Sequence, residues 1–185
     1  MNSPATLPAD ETADPQALWF LRNLAIIHAA TDQTNGRYAI TELTGAPGDM
    51  PPLHVHPCDD EGFYVLDGAL RLHVGDRILR VQAGQFALAP RGIPHAYVVE
   101  SETPARWLAI SNGGFDRFIA DVSVPATAMT LPPAPSMPPP EELAAIARRH
   151  GIELLGPPGA LPAPCSAAVV AEQPCAPLPG HQEFP

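Results

Sequence analysis

Short apolar runs separated by turn residues dominate the chain between residues 16 and 124. The LRLHV segment alternates strictly, with Leu70, Leu72 and Val74 on one face and Arg71 and His73 on the other. Turn residues at this spacing are typical of an antiparallel sandwich or small barrel. The pattern therefore predicts an all-β domain with strands in the runs LAIIHAA, RYAITEL, GFYVLDG, ALRLHVGD, RILRVQAG, QFALAPRG, HAYVVES and ARWLAIS.

The first apolar stretch, PQALWFLRNLAIIHAA, admits two interpretations. Pro15 suits the first turn of a helix, which would make the stretch helical. The adjacent pair Ile26 and Ile27 and the following Asn35-Gly36 turn instead favour strands joined by a hairpin. We expect strands.

Composition divides the rest of the chain into four segments. Residues 1–15 are acidic and contain prolines, which indicates a disordered lead without a signal peptide. The proline-rich residues 125–140 predict an extended linker. Residues 141–156 begin with EELAAIARR, which predicts a C-terminal helix whose stripe of Leu143, Ile146 and Ala147 needs an apolar partner. Residues 157–185 are rich in proline and alanine and indicate a disordered tail.

Charge and cysteine content exclude several classes of function. The 185-residue chain carries a net charge of −10, which argues against nucleic acid and anionic membrane surfaces as partners. All basic residues are arginine, so lysine nucleophiles are excluded. No apolar run approaches the about 20 residues of a membrane span. Three cysteines without a CxxC pair predict reduced thiols and a cytoplasmic location.

The segment PPLHVHPCDDEGF, residues 51–63, holds the candidate chemistry. His54 and His56 leave the same face of a strand, and Glu61 begins the next strand, close to His56 across a tight turn. Two imidazoles and a carboxylate on one face fit a divalent metal. An exposed polar hairpin fits the same residues, so both interpretations stay open at this point.

A wider spacing pattern surrounds this segment. Its defined positions are Gly48, His54, His56, Glu61 and Gly68, followed after fifteen residues by a second block of Gly84, Pro90, Gly92 and His95. This arrangement resembles the two signature blocks of the cupin superfamily. The resemblance covers residues 48–95 closely and about 20–120 by strand pattern. One departure is Val99, where the family usually has asparagine.

The resemblance implies an antiparallel jelly-roll barrel with a C-terminal helix and a proline-rich tail. It also implies one divalent transition metal per chain, bound by His54, His56, Glu61 and His95. Three imidazoles and a carboxylate suit Fe, Mn, Ni or Co, and Zn also fits, whereas calcium and magnesium prefer oxygen ligands. Four protein ligands leave coordination positions for water, substrate or O2.

Other residues near these ligands have separate expectations. Cys58 lies in the turn rather than on the ligand face and is not expected to bind metal. His73 is expected to be solvated, and His28 is expected in the core. Strand alternation predicts a substrate pocket lined by Phe63, Val65, Phe86, Leu88, Tyr97 and Val99. Such a lining favours a small aromatic substrate, although the same residues also fit a barrel core.

Three sequence segments indicate a subgroup within the cupin superfamily: DEGFYVLDG, APRGIPHAY and EELAAIARRHGIELLGPP. They look like the bacterial quercetin-dioxygenase-like cupins, which implies O2-dependent ring cleavage of a flavonol-like enol with Glu61 as catalytic base. A metal-dependent polyketide cyclase or isomerase without O2 and a non-catalytic binding cupin are the alternatives. The resemblance also favours a homodimer in which the C-terminal helix or N-terminal strand covers the partner. A monomer whose helix folds onto its own barrel is the competing interpretation.

Overall fold

The computed structural model describes residues 17–135 and 137–163, and the elements below are those of this part of the chain. Twelve strands and two helices follow one another. In chain order they are β1 (Ala17–Phe20), β2 (Asn23–Ala29), β3 (Ala39–Gly45), β4 (Pro52–Val55), β5 (Glu61–Asp67), β6 (Ala69–Val74), β7 (Arg77–Gln82), β8 (Phe86–Ala89), β9 (His95–Val99), β10 (Ala105–Ser111), α1 (Phe115–Val122), β11 (Ser123–Pro125), α2 (Pro140–Arg149) and β12 (Glu153–Pro158).

The strands form two sheets with antiparallel pairing. The larger sheet has the order β11-β1-β2-β3-β10-β5-β8, and the smaller has the order β12-β4-β9-β6-β7. Neighbours distant in sequence, such as β10 beside β5 and β4 beside β9, show that the chain crosses repeatedly between the sheets. The architecture is the predicted all-β antiparallel jelly roll with a small C-terminal helix.

Alternation along the strands places the core between the two sheets. Leu70, Leu72 and Val74 are buried, as the sequence pattern predicts. Trp107 of β10 is the largest fully buried side chain in the described residues and packs against the ring of Tyr97. Burial of such side chains removes most of the apolar surface from water and is the main stabilising contribution of the fold.

The amino-terminal stretch forms strands rather than a helix. β1 pairs with β2 through a turn in which Leu21 has φ 56°, and β2 pairs with β3 after a turn that holds Asn35 and Gly36 at φ 54° and 78°. Asparagine and glycine tolerate this left-handed backbone, so the Asn-Gly prediction is confirmed. His28 does not lie in the core as expected, because it faces outward on β2, is 40% exposed and binds Glu42.

Both helices lie at the same end of the barrel, in contact with each other. α1 has no counterpart in the sequence prediction, because FDRFIADV is too short to stand out among the strands. α2 starts at Pro140, and its stripe of Leu143, Ile146 and Ala147 is buried within the same chain. His150, which follows α2, hydrogen bonds to Asp121 of α1 at 2.8 Å. The stripe is therefore covered in cis, as in the competing interpretation, and needs no partner subunit.

The expected segment boundaries shift at the carboxyl end. β12 extends to Pro158 and pairs with β4, so residues 157 and 158 belong to the barrel rather than to a tail. The linker begins after β11. The Trp19 indole N–H of β1 donates a hydrogen bond to the Thr130 carbonyl of the linker. The expected disordered lead and most of the expected tail lie outside the described residues. No helix in the described ranges is long and apolar enough to cross a membrane.

Candidate metal centre

Three strands of the two sheets bring the predicted ligands together. His54 lies in β4 and is paired with His95, the first residue of β9, while His56 directly follows β4. Glu61 begins β5, which belongs to the larger sheet. His56 and Glu61 are thus close across the barrel interior rather than across a hairpin, which corrects the expected local geometry but keeps the expected contact.

The three imidazoles converge on one carboxylate oxygen. Glu61 Oε2 lies 3.2 Å from His56 Nε2, 3.1 Å from His95 Nε2 and 3.7 Å from His54 Nε2. One potential ligand atom from each of the four residues lies within 4.8 Å of the others. His54 and Glu61 face the neighbouring cavity, whereas His56 and His95 lie behind them.

Backbone carbonyl groups fix the orientation of two rings. His54 Nδ1 lies 2.9 Å from the Pro52 carbonyl, and His95 Nδ1 lies 2.9 Å from the Ile93 carbonyl. A carbonyl only accepts, so each Nδ1 carries the proton and each Nε2 keeps a free lone pair. His56 Nε2 is buried and has no hydrogen-bond partner among the described residues. Such an atom is costly in a folded protein unless another group binds it.

Electrostatics within the cluster favour a neutral imidazole at His54 and an ionised carboxylate at Glu61. Burial, together with the neighbouring His95, lowers the pKa of His54 to about 4. Burial acts to raise the pKa of Glu61, but the surrounding imidazoles of His54, His56 and His95 outweigh burial and hold that pKa well below its ordinary value. Neutral imidazole and ionised carboxylate are the forms that bind a metal ion.

The donor set fits a transition metal on the grounds of chemistry and geometry. Three nitrogen donors, among them the orphaned His56 Nε2, and one carboxylate describe a site for a divalent ion of the iron-to-zinc series. Cys58 does not take part, because it is disulfide-bonded. That bond also corrects the expectation of a reduced thiol at Cys58.

An apolar cavity opens directly beside His54 and Glu61. Of the predicted pocket residues, Phe63 and Tyr97 line it. Val65 and Val99 are buried in the barrel core instead. Phe86 and Leu88 point away from the cavity and are 56% and 45% exposed, because β8 pairs with β5 in the register that places Ala87 beside Phe63. The alternation on β8 is therefore shifted by one residue from the predicted phase.

Several lining residues escape prediction from the sequence. Phe115 and Phe118 of α1 and Leu143 of α2 line the same cavity, and so do Asn23 and Asp49. The spacing of Phe115, Phe118 and Ile119 is an amphipathic signal that could have revealed α1. The sequence carries no comparable signal for Asn23, which lies far from the ligands along the chain, or for Asp49, which precedes them in a loop where strand alternation does not apply.

Comparison with known proteins finds similarity to part of this chain. The chain is 41% identical over 83 residues to quercetin 2,3-dioxygenase of Bacillus subtilis (strain 168), and the match covers 44% of this chain and 24% of that enzyme's length. The TT1209 protein of Thermus thermophilus is 32% identical with a TM-score of 0.40, covering 41% of this chain and 72% of that one.

A solved oxalate decarboxylase from Lactobacillus farciminis is 21% identical with a TM-score of 0.47, covering 54% of this chain and 31% of that one. Residues 42–111 match the family model described as a cupin domain. These residues include all four members of the metal cluster. With its paired antiparallel sheets and this family match, the chain is a member of the cupin superfamily.

Proposed function

We propose that this protein is a metal-dependent dioxygenase that cleaves the ring of a flavonol-like enol with O2. The observation that carries the proposal is the buried cluster of His54, His56, Glu61 and His95 at the wall of an aromatic cavity. The similarity to quercetin 2,3-dioxygenase over 83 residues supports the same substrate class. The match spans about a quarter of that enzyme's length, so the dioxygenase activity of this chain is a proposal.

The ligand residues define what the centre would hold. Through their Nε2 atoms, His54, His56 and His95 would bind one Fe, Mn, Ni, Co or Zn ion, with Glu61 as the fourth ligand. When bound, such an ion supplies a Lewis acid that stabilises an enolate and a position at which O2 and substrate can meet. The carbonyl groups of Pro52 and Ile93 keep two of the rings in the tautomer that this binding requires.

Glu61 has a second task in the proposed reaction. Its carboxylate faces the cavity, so an Oε atom can accept the proton of a substrate hydroxyl placed beside His54. The apolar side chains around it, Phe63, Phe115 and Leu143 among them, exclude water and strengthen this interaction. They also provide flat apolar surfaces suited to an aromatic ring system.

Oxygen uptake by tag-free protein reconstituted separately with Fe, Mn, Ni, Co and Zn tests the proposal. With quercetin as substrate, we expect at least one metal form to consume O2 in proportion to the flavonol lost. Apoprotein is the control and should consume none. Conversion of an aromatic polyketide without O2 uptake, together with inertness toward quercetin, would instead establish a cyclase or isomerase.

The proposal includes a soluble, cytoplasmic enzyme, as the sequence favours. The disulfide at Cys58 weighs against this location, because disulfides persist mainly in oxidising compartments. Cell fractionation followed by thiol labelling of the native protein distinguishes a cytoplasmic location from an oxidising compartment. A fully alkylated Cys58 in the cytoplasmic fraction supports the proposed location.

A further inference from the structure

The cavity beside the metal centre contains a second polar group of side chains. Asn23 at the start of β2, Asp49 in the loop between β3 and β4, and Tyr97 of β9 all line it. The three residues are buried, although each has polar atoms. None of them belongs to the metal cluster. In an otherwise apolar cavity, such polar groups orient a ligand and give specificity.

Hydrogen bonds hold the three side chains together. Asn23 Nδ2 lies 3.3 Å from Tyr97 Oη, and the Asn23 side chain is also close enough to the Asp49 carboxyl to act on its pKa. The backbone fixes the loop, since Val99 N donates to the Asp49 carbonyl at 3.0 Å and Gly48 N donates to the Val99 carbonyl at 2.9 Å. The loop that carries Asp49 is therefore attached to the strand that carries Tyr97.

Asn23 positions the other two residues. Its Oδ1 has no hydrogen-bond partner among the described residues and lies 2.7 Å from the place where a Cβ at Gly45 would be. Glycine at this position leaves room for the amide, and the amide directs its Nδ2 toward Tyr97 and Asp49. A buried carbonyl oxygen without a hydrogen-bond partner destabilises a folded protein, which indicates that this orientation has a use beyond stability.

Acceptor atoms dominate the group. A carboxylate has about four lone-pair sites. The Asn23 side chain and the Met50 backbone are the neighbouring polar groups that stabilise the Asp49 carboxylate. The phenol oxygen of Tyr97 also accepts the Asn23 hydrogen bond. Asp49 and Tyr97 can therefore accept further hydrogen bonds, and in a cavity with little water this favours a ligand group that donates one. The buried acidic side chain of Asp49 disfavours an anionic ligand group.

From these contacts we propose that Asp49 and Tyr97 bind a hydroxyl group of the substrate other than the one held at the metal centre, with Asn23 as their positioning residue. This inference rests on the proposed function, because it takes the substrate to be a polyhydroxylated aromatic compound. It assigns specificity for additional hydroxyl groups to residues outside the cluster of ligands. The metal centre then recognises one end of the substrate and Asp49 another.

Equilibrium binding in the absence of O2 tests the inference without turnover. Quercetin is compared with 3-hydroxyflavone, which keeps the enol hydroxyl next to the ketone but has no other hydroxyl. An added hydrogen bond to a buried acceptor predicts that metal-loaded wild-type protein binds quercetin about tenfold more tightly or better. In Asp49→Ala this preference should fall to about threefold or less, and Tyr97→Phe, which removes one atom, should reduce it as well.

The matched control is Thr41→Val. Thr41 is buried, and its Oγ1 has no partner among the described residues, but it does not line the cavity. This variant should keep the wild-type preference, and all variants should keep wild-type metal content, because none alters a ligand. Where Asp49→Ala does not fold, Tyr97→Phe alone provides the measurement.

The outcomes separate the two hypotheses. The inference is overturned if the wild type binds both flavonols equally, or if the folded variants keep the wild-type preference for quercetin. The proposed function still stands in either case, provided that the protein converts one of the flavonols. Failure of the wild type to bind or convert any flavonol overturns the proposed function and the inference with it. A preference lost in the cavity variants and kept in Thr41→Val supports the inference.

Discussion

Glu61 is the residue on which the three imidazoles converge, with its Oε2 atom 3.1–3.7 Å from each Nε2. A carboxylate serves as both ligand and proton acceptor, whereas a neutral amide does neither well. We therefore expect Glu61→Gln to keep the fold and lose turnover by about 100-fold or more, measured as O2 uptake with quercetin.

The matched control for this substitution is Glu42→Gln. Glu42 also lies 3.0 Å from a histidine nitrogen, that of His28, but on the outer face of the barrel. Its variant should keep wild-type turnover. Equal turnover by Glu61→Gln and the wild type would show that Glu61 has no role in the chemistry.

His56 and His95 are the most deeply buried imidazoles of the cluster. Removal of either leaves three ligands and a cavity in place of a ring, so metal affinity should fall by about 10-fold or more. Elemental analysis of tag-free protein should show close to one metal per chain in the wild type and little in His56→Ala or His95→Ala. The exposed His28→Ala is the control, and full metal retention in the double ligand variant would refute the site.

At the scale of elements, α2 is a wall of the cavity. Leu143 is buried in the core and lines the cavity, so Leu143→Ala leaves a gap in both the core and the cavity wall. Substitutions of this kind cost about 2–5 kcal/mol of unfolding free energy. Thermal unfolding should show a clear fall in Tm for Leu143→Ala and almost none for the exposed Glu142→Ala. An unchanged Tm would mean that α2 does not pack on the barrel in solution.

β8 illustrates how register decides what an element contributes. Gly62 is the second residue of β5, and the ring of Phe86 lies 2.7 Å from where a Cβ at Gly62 would be. An aromatic ring over a strand glycine covers backbone that would otherwise be exposed. Phe86 therefore faces outward for a packing reason, and the small residues Ala87 and Ala89 face the barrel interior.

At the scale of the whole molecule, the outer face of the larger sheet carries an apolar patch of Tyr64, Phe86 and Leu88. The helix stripe and β1 are covered within the chain, so neither provides the dimer contact that the sequence indicated. We predict instead a two-fold homodimer through this patch, because contiguous exposed apolar side chains mark interfaces.

Light scattering coupled to size exclusion tests this prediction. The wild type should have twice the chain mass, and Phe86→Asp should shift it to the mass of one chain. Ile78→Asp is the control, since Ile78 is 64% exposed on the smaller sheet. A wild-type mass equal to one chain at all concentrations would contradict the dimer.

The sequence by itself determined the features that local patterns specify. Alternation on β6 and the Asn35-Gly36 turn were sufficient for the all-β class. The four residues that cluster followed from the resemblance to the cupin signature blocks. Such features depend on the two-residue period of strands and on backbone angles that few residues adopt, which neighbouring residues reveal.

Only the tertiary structure decided which faces meet. Strand pairing shifted the inward-facing residues of β8 by one position from the expected phase and placed Glu61 opposite His56 across two sheets. Tertiary packing also buried the apolar stripe of α2 within its own chain. It also brought Asn23 and Asp49 to the cavity. The physical reason is that contacts between residues far apart in the chain depend on register and crossover, and a one-residue shift moves every side chain to the opposite face.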